Sequence, residues 1–399
     1  MAHVRDRRLL IAGAFVRATA IGFIGVALGL HLQARGLDGR DIALVVAAGL
    51  GGAAVAAAAV TLVGDRLPRR VWLCGSCVLA AGGGLALAFA TGIWPAAVAA
   101  FLGMVNGAGR DRGLAPIVDQ AALPATTDDA GRTRVFAFYA FAQDLGHAAG
   151  ALAAGLPLAL SQVADLDPAL CLRGGLVAYA VAIAALGVAY LGLSAAVESV
   201  PRSQEARPLS PATRRVTVRI SALFAVDALG GGFLTTTMLT LMFVDRFAAS
   251  ATTIAVLFAG ARVLNAFSHL GAAWLARRIG LVRTMVFTHL PSSLLLLTVP
   301  FAPSFAVAAV LFLLREGLVE MDVPTRQSYV MAVVAADERT RVAGITQLVR
   351  LLGWALGPLV AALIGGDLVI AVVIGAGLKI GYDIALYAAF RAVWPPEEA

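Results

Sequence analysis

Residues 62–70, Leu62-Val-Gly-Asp-Arg-Leu-Pro-Arg-Arg70, are a dense cluster of charge between two long apolar segments. Charge is scarce elsewhere: charged residues are 14% of the 399-residue chain, hydrophobic residues are 60%, and the mean hydropathy is +0.86. A soluble domain could not bury that much apolar surface. The sequence therefore predicts an integral membrane protein in which residues 62–70 form a short turn between two helices. Basic turns of this kind stay on the cytoplasmic side, where arginine contacts anionic lipid.

Apolar segments long enough to cross a hydrocarbon core, about 20 residues, number about twelve. The first six begin near Leu9, Ile42, Val71, Trp94, Thr133 and Cys171, and the second six near Val218, Thr252, Arg283, Ser304, Arg341 and Asp367. Charges interrupt the fourth and tenth segments. Arginines concentrate in alternate turns, which predicts both termini in the cytoplasm. The prediction is an all-α protein of the cytoplasmic membrane with twelve transmembrane helices.

An internal repeat divides these segments into two halves. Arg132-Thr-Arg-Val135 recurs as Arg339-Thr-Arg-Val342, and Gly146-x-x-x-Gly150 recurs in the same register as Gly353-x-x-x-Gly357. Glycines at this spacing allow membrane helices to approach closely. A segment of prolines and mixed charge between the halves predicts a linker. The expected boundaries are a six-helix half at 1–197, a cytoplasmic linker at 198–217 and a second six-helix half at 218–399.

The turn at 62–70 resembles the loop between the second and third helices of the major facilitator superfamily, with the pattern Gly-x-Leu-Ala-Asp-Arg-x-Gly-Arg-Arg. Asp65, Arg66, Arg69 and Arg70 stand in its charged places, and Arg277-Arg278 form a weaker copy in the second half. Two similar halves in the same orientation are the parallel-repeat arrangement of such transporters. The resemblance implies two pseudo-symmetric six-helix halves and transport by alternating access.

Ionisable residues within the predicted membrane segments are the candidate functional residues. Each costs roughly 2.5–3.5 kcal/mol at a helix centre, so it persists when paired or when it lines a polar cavity. Arg17 in the first segment and Asp227 in the seventh occupy nearly matching places in the two halves. In the fold that the resemblance implies, these helices face each other across the central cavity. We predict that Arg17 and Asp227 pair and that Asp227 accepts a proton; the alternative is a static ion pair.

The tenth segment holds a second group of charges. Glu316 and Glu320 are four residues apart, so they share a helical face, and their repulsion favours one protonated member. Asp322 and Arg326 have the same spacing and are expected to pair near the cytoplasmic end. The alternative is a salt-bridged inner gate without proton chemistry. The predicted gate residues are Asp65, Arg66, Arg69, Arg70, Asp322 and Arg326.

Other polar membrane residues complete the predicted site. The proton-coupling or cavity candidates are Arg17, Asp227, Asp144, Glu316, Glu320 and Arg350. The substrate-cavity candidates are Arg110, Arg112, Arg262, Asn265, His269 and Arg315. Arg262, Asn265 and His269 form one polar stripe, which faces either the cavity or neighbouring helices. His289 is predicted to be structural, and Lys379 and Asp383 are predicted to pair within one helix.

The sequence lacks complete motifs for other classes of protein. Gly107-x-Gly109-x-x-x-Gly113 lacks the preceding strand and the spacing of a nucleotide site. No His or Cys cluster has a metal-binding spacing and no nucleophile–base set stands out, so we predict no enzyme activity, no cofactor and no metal. The net charge of +7 lies in inter-helix turns, so nucleic acid is not an expected partner.

These features predict a secondary active transporter that moves a small organic solute, with proton-coupled export as the leading mechanism. Charges of both signs in the membrane favour a polar solute, anionic or zwitterionic. The alternative within the class is a proton symporter or uniporter that imports a small polar nutrient. The alternative of another class is a non-transporting membrane receptor. The expected partners are the solute, protons and membrane lipid, with a monomer as the functional unit.

Overall fold

The computed structural model describes residues 2–127, 129–198, 209–332, 334 and 338–390. In these ranges the regular structure is helical. The first eight α-helices are α1 (Ala2–Ala34), α2 (Gly39–Val63), α3 (Arg69–Phe89), α4 (Ile93–Gly103), α5 (Ala115–Ala122), α6 (Asp129–Ala153), α7 (Leu156–Ala164) and α8 (Pro168–Tyr190). The next eight are α9 (Pro211–Phe233), α10 (Thr236–Phe247), α11 (Ala251–Ile279), α12 (Leu281–Thr298), α13 (Phe305–Val319), α14 (Asp322–Ala332), α15 (Arg339–Leu363) and α16 (Leu368–Phe390).

These helices account for the twelve predicted segments. Eight segments are single helices, and the other four are helix pairs: α4–α5, α6–α7, α9–α10 and α13–α14. Ten stretches of the described chain are long and apolar enough to cross a membrane. The two segments that fall short are the fourth and the tenth, where charges interrupt the apolar run. The predicted all-α membrane architecture is therefore confirmed.

The breaks satisfy their own backbone groups, as irregular chain at membrane depth requires. After α4, Met104 takes a left-handed conformation with φ of 54°. The side chain of Asn106 then donates to the Met104 carbonyl at 3.0 Å and accepts from the Ala108 N–H at 3.1 Å. After α9, the Thr235 hydroxyl caps α10 by accepting from the Met238 N–H at 3.3 Å. These local bonds satisfy backbone groups at the two points where the helix is interrupted.

By packing, the chain forms two compact units. Unit 1 comprises residues 1–204, 235–259 and 358–367, and unit 2 comprises residues 205–234, 260–357 and 368–399. Unit 1 thus takes α10, which follows the break in the seventh segment. The predicted division into halves at 198–217 stays a prediction, and residues 199–208 of that linker lie outside the described residues.

Within each unit the repeated glycines lie at helix–helix contacts. In unit 1 a Cβ on Gly150 would overlap the carbonyl oxygen of Thr19, so α6 packs backbone to backbone against α1. In unit 2 a Cβ on Gly357 would lie 2.5 Å from the Cα of Gly232, which brings α15 equally close to α9. The sequence repeat therefore corresponds to two equivalent packing contacts, one in each unit.

Helix α10 is bonded into unit 1 by threonines. The Thr237 N–H donates to the Gly107 carbonyl at 3.0 Å, and the Thr237 hydroxyl donates to the Gly25 carbonyl at 2.8 Å. The Thr236 hydroxyl donates to the Ala108 carbonyl at 3.2 Å. These bonds join α10 to α1 and to the irregular chain between α4 and α5.

Candidate functional site

Unit 1 contains a buried group of charged and phenolic side chains around Arg17. We call it the Arg17 cluster; its members are Arg17, Asp111, Asp119, Tyr139 and Tyr190. The Arg17 Nε donates to Asp111 Oδ2 at 3.1 Å, while its two terminal nitrogens bond to Asp119 Oδ2 and to the Tyr190 hydroxyl. The side chains of Arg17, Asp111 and Asp119 are 6%, 5% and 0% exposed. Two carboxylates therefore share one guanidinium almost out of contact with solvent.

Each member of the Arg17 cluster comes from a different part of unit 1. Arg17 lies in the middle of α1, Asp119 in α5 and Tyr190 at the end of α8. Asp111 lies in the irregular chain before α5, where its own N–H donates to His147 Nε2 at 3.2 Å. From α6, the Tyr139 hydroxyl donates to Asp119 Oδ2 at 3.0 Å. The break in the fourth segment is what brings both acids to Arg17.

A small cavity adjoins this cluster inside unit 1. Its volume is about 70 Å³, which is enough for water. Its polar lining includes Arg17, Ser76, Asn106, Asp111 and Arg112. The predicted substrate-cavity residue Arg112 thus lies beside an acid of the cluster, and Arg110 is partly buried in the same stretch. Charged side chains of both signs therefore line a cavity large enough for water in unit 1.

Unit 2 contains a second buried group, arranged around Asp227. We call it the Asp227 cluster; its members are Asp227, His289, Asp322, Arg326, Arg350, Lys379 and Asp383. Asp227 Oδ1 accepts from Lys379 Nζ at 2.6 Å, and Asp227 Oδ2 lies 3.4 Å from Arg326 Nη1 and 4.0 Å from Arg350 Nη2. His289 Nε2 is 3.8 Å from Asp227 Oδ1. One carboxylate is therefore surrounded by cations.

Two further pairs lie at the edge of the Asp227 cluster. Arg326 Nη1 also bonds to Asp322 Oδ2, at 2.6 Å within α14, so the predicted pair of Asp322 and Arg326 is confirmed. His289 Nδ1 lies 2.9 Å and 3.0 Å from the two carboxylate oxygens of Asp383. The role of Asp322 and Arg326 as a gate stays a prediction.

A third polar contact in unit 2 links α11 and α13. Arg315 bonds to Glu316, and the Asn265 side chain donates to Glu316 Oε2 at 2.9 Å. Asn265 therefore bonds to a neighbouring helix, one of the two outcomes that the polar stripe allowed. Arg262 is buried in the same helix, Glu320 is partly buried after α13, and the side chain of His269 lies outside the described residues.

The structure corrects the predicted pairing. Arg17 was predicted to pair with Asp227, but the carboxylates that bind it are Asp111 and Asp119, because the broken fourth segment delivers them. The predicted pair of Lys379 and Asp383 within α16 is also wrong. Lys379 bonds to Asp227 of α9 and Asp383 to His289 of α12, because α16 packs against both of these helices and each brings a partner within reach.

The remaining predicted residues have simpler surroundings. In the turn at 62–70, Arg69 donates to the Val197 carbonyl at 2.8 Å, Arg66 and Arg70 are exposed, and the side chain of Asp65 lies outside the described residues. Asp144 is partly buried on α6. Asp119, Tyr139 and Tyr190 were not among the predicted site residues. The sequence signal that could have identified them is an acid or a phenol in an otherwise apolar membrane segment.

Matches to known proteins extend over nearly the whole chain. The family model described as Major Facilitator Superfamily matches residues 10–358. The uncharacterized membrane protein YJR124C of Saccharomyces cerevisiae is 23% identical over 98% of this chain and 95% of its own length. The solved structure of the nucleoside transporter NupG has a TM-score of 0.71 at 15% identity, covering 98% of this chain and 99% of that chain. A POT family transporter in complex with 5-aminolevulinic acid has a TM-score of 0.75 at 12% identity, covering 96% of each chain.

Proposed function

The chain belongs to the major facilitator superfamily, and from this premise we propose that it is a proton-coupled exporter of a small polar organic solute. It is a membrane transporter of this family and not an enzyme. The proton, the direction and the class of solute are what the proposal adds. We further propose that it works in the cytoplasmic membrane as a monomer with both termini in the cytoplasm, since its basic turns fit that orientation.

The observation that carries proton coupling is the sharing of Arg17 by two buried acids. Asp111 and Asp119 both bond to the same guanidinium. With both acids ionised, these three groups carry one net negative charge at a place where charge is costly. One proton on either acid removes that charge, and repulsion between neighbouring carboxylates favours such sharing. The Arg17 cluster is therefore suited to take up and release one proton.

A cavity beside the cluster and the positive charge in its lining support a polar solute. The cavity next to Asp111 is lined by Arg112 and Asn106 as well as by Arg17. Guanidinium groups bind carboxylates and phosphates with directed hydrogen bonds, so an anionic or zwitterionic solute fits this lining. NupG is a nucleoside transporter and the POT family structure holds 5-aminolevulinic acid. Nucleosides and amino acids are accordingly the first solutes to test.

A flux assay in proteoliposomes tests the proposal. The purified chain is reconstituted, the solute panel is loaded inside, and efflux is measured with and without an inward proton gradient. We expect one solute class to leave faster when protons run inward. Solute that instead moves with the protons would identify a symporter, and flux in wild type that ignores the gradient would contradict proton coupling.

Two variants locate the coupling. Asp119→Asn should keep solute exchange across the membrane at equal pH but lose acceleration by the gradient, because an amide cannot carry the proton. Asp165→Asn is the matched control, since Asp165 is an exposed acid after α7, and it should behave as wild type. Gradient-driven efflux that is unchanged in Asp119→Asn would remove the Arg17 cluster from the mechanism.

A further inference from the structure

His289 lies between two carboxylates inside unit 2. It is on α12, 2% exposed, with Nδ1 at 2.9 Å and 3.0 Å from the oxygens of Asp383 on α16. Its other nitrogen, Nε2, is 3.8 Å from Asp227 Oδ1 on α9. A single imidazole therefore stands between acids of two different helices. The distance to Asp383 is that of a hydrogen bond, and the distance to Asp227 is longer.

The imidazole is held in this orientation from several sides. The Tyr382 ring meets it edge to face, with 5.9 Å between ring centroids and an interplanar angle of 89°. The His289 carbonyl accepts from the Ser292 hydroxyl at 2.8 Å. Pro291 lies inside α12 two residues further on and has no N–H to continue the helical ladder. The nitrogens of the ring thus face fixed positions.

The net charge of the pair formed by His289 and Asp383 depends on how many protons His289 carries. Asp383 is fully buried, and the lysine one turn earlier on its own helix bonds to Asp227 instead, with 2.6 Å between Lys379 Nζ and Asp227 Oδ1. Since an ionised carboxylate only accepts, His289 must donate from Nδ1. With a neutral imidazole the pair carries one negative charge, and with an imidazolium it carries none. A second proton on the ring therefore removes the net charge of this pair.

The charged groups that surround this pair are themselves matched. α9 contributes Asp227, α16 contributes Lys379 and Asp383, α14 contributes Asp322 and Arg326, and α15 contributes Arg350. The charges of α13, Arg315 and Glu316, bond to each other. Leaving His289 aside, three cations and three carboxylates cancel in the Asp227 cluster. Whether His289 is neutral or cationic, the cluster is at most one charge from neutrality, so both protonation states are accessible.

We propose that His289 and Asp383 form a proton-binding site, in which the loaded imidazole competes with Lys379 for Asp227 Oδ1. The proton enters at Nε2, because Nδ1 is already bonded to Asp383. An imidazolium Nε2–H then needs an acceptor, and the acceptor that faces it is the oxygen now bonded to Lys379. Protonation of His289 thereby weakens the bond between Asp227 of α9 and Lys379 of α16 in favour of one between Asp227 and His289 of α12. This inference deepens the proposed proton coupling, since it names a second proton site.

A proton bound at Nε2 makes the His289 ring cationic, and the carboxylate of Asp383 beside it stabilises the cation. Histidine is the residue type that ordinarily changes charge between about pH 5 and pH 8, so this is the pH range to test.

The first test is an NMR titration of the purified full chain with isotopically labelled histidine, and it needs no transported solute. The resonance missing in His289→Gln identifies the ring; if that variant does not fold, the resonance altered in Asp383→Asn identifies it. We expect this ring to change from neutral to cationic as the pH falls from about 8 to about 5. In Asp383→Asn it should stay neutral, because its anionic partner is gone. A ring with one protonation state throughout in wild type would overturn the proposal.

A buried histidine elsewhere in the chain provides the matched control. His31 of α1 is 1% exposed and its Nε2 lies 3.3 Å from the Leu87 carbonyl, a neutral group. Its titration should be the same in wild type and in Asp383→Asn. A change at His31 as large as that at His289 would show a general disturbance of the fold and count against the specific role of Asp383.

The second test counts protons per solute in the proteoliposome assay. His289→Gln should move one proton fewer per solute than wild type while exchange at equal pH continues, and an unchanged ratio would overturn the role in coupling. The two proposals fail in different ways. Flux in wild type that ignores the gradient contradicts the proposed function, whereas a histidine that does not titrate contradicts only the site at His289.

Discussion

The Arg17 cluster and the Asp227 cluster have opposite arrangements of charge, although Arg17 and Asp227 occupy nearly matching places in the sequence repeat. In unit 1 one cation is shared by two acids, and in unit 2 one acid is surrounded by cations. The difference indicates where a proton can bind. Asp227 serves as the counter-ion of several cations. By contrast, Asp111 and Asp119 share the one guanidinium of Arg17, and Asp383 is bonded to a histidine. In our proposal the proton therefore binds where two acids share one cation or where an acid is bonded to histidine, and not at Asp227.

The largest effect that this comparison predicts is on stability, from removal of the acid at the centre of unit 2. Asp227→Asn leaves Lys379 and its neighbouring cations without their carboxylate, and breaking a buried pair in this way costs about 3–5 kcal/mol. Unfolding of the purified protein in detergent would measure the loss. The double variant Asp227→Asn/Lys379→Gln should recover part of it, and a recovery of zero would mean that the 2.6 Å contact contributes little.

The next effect concerns the glycine contact within unit 1. Gly150→Ala inserts a Cβ where the Thr19 carbonyl lies, so we expect about 1–3 kcal/mol of destabilisation from overpacking. Gly75→Ala on α3 is the control, because nothing lies within 4 Å of a Cβ there, and it should be neutral or slightly stabilising. Gly357→Ala should match Gly150→Ala if the two units share this contact. Equal unfolding midpoints for Gly150→Ala and Gly75→Ala would refute the close approach of α1 and α6.

A smaller effect should follow loss of a phenol from the Arg17 cluster. Tyr190→Phe removes the hydroxyl that accepts from Arg17, and hydrogen bonds to charged groups contribute about 1.5–3 kcal/mol. The lower end of that range is expected, because both acids still hold the guanidinium. Denaturant unfolding of Tyr190→Phe beside wild type measures it, and a loss equal to that of Asp227→Asn would mean that the phenol is the main partner.

The smallest effect on stability is expected for Asp111→Asn. The amide oxygen can still accept from Arg17 Nε, and the remaining acid still balances the guanidinium. A change of about 1 kcal/mol or less, of either sign, is therefore expected. The same unfolding assay provides the contrast with Asp227→Asn, since both variants replace one buried aspartate by its amide. If both lose equal stability, the two clusters do not differ as their charges indicate.

The sequence predicted the helices better than it predicted the contacts between polar side chains. The length of an apolar segment and the spacing of its glycines are set by the bilayer and by helix packing, so the helices and a close helix approach at Gly150 could be predicted, but not that α1 is the partner. The partners of Arg17 could not, because they depend on chain that leaves the helix after Met104 and returns at Ala115. Hydropathy marks that stretch as interrupted but does not say where Asp111 then lies.

The same limit explains His289. Its segment, the ninth, is peripheral in the fold that the resemblance implies, so a structural role was the expectation. Lys379 and Asp383 were assigned to each other because they are four residues apart. Contacts across helices decide both cases, and a single sequence does not state which faces of α9, α12 and α16 meet. Only the spacing within α14 gave a correct pair, that of Asp322 and Arg326.

The threonine bonds of α10 bear on how the chain is made. Unit 1 includes residues 235–259, so the carbonyls of Gly25, Gly107 and Ala108 acquire their threonine donors only after the ribosome has finished the first six segments and the start of the seventh. During synthesis the carbonyls of Gly107 and Ala108, which lie outside the helices, must be satisfied by water or by temporary partners. Unit 1 thus stays unfinished until α10 has been synthesised.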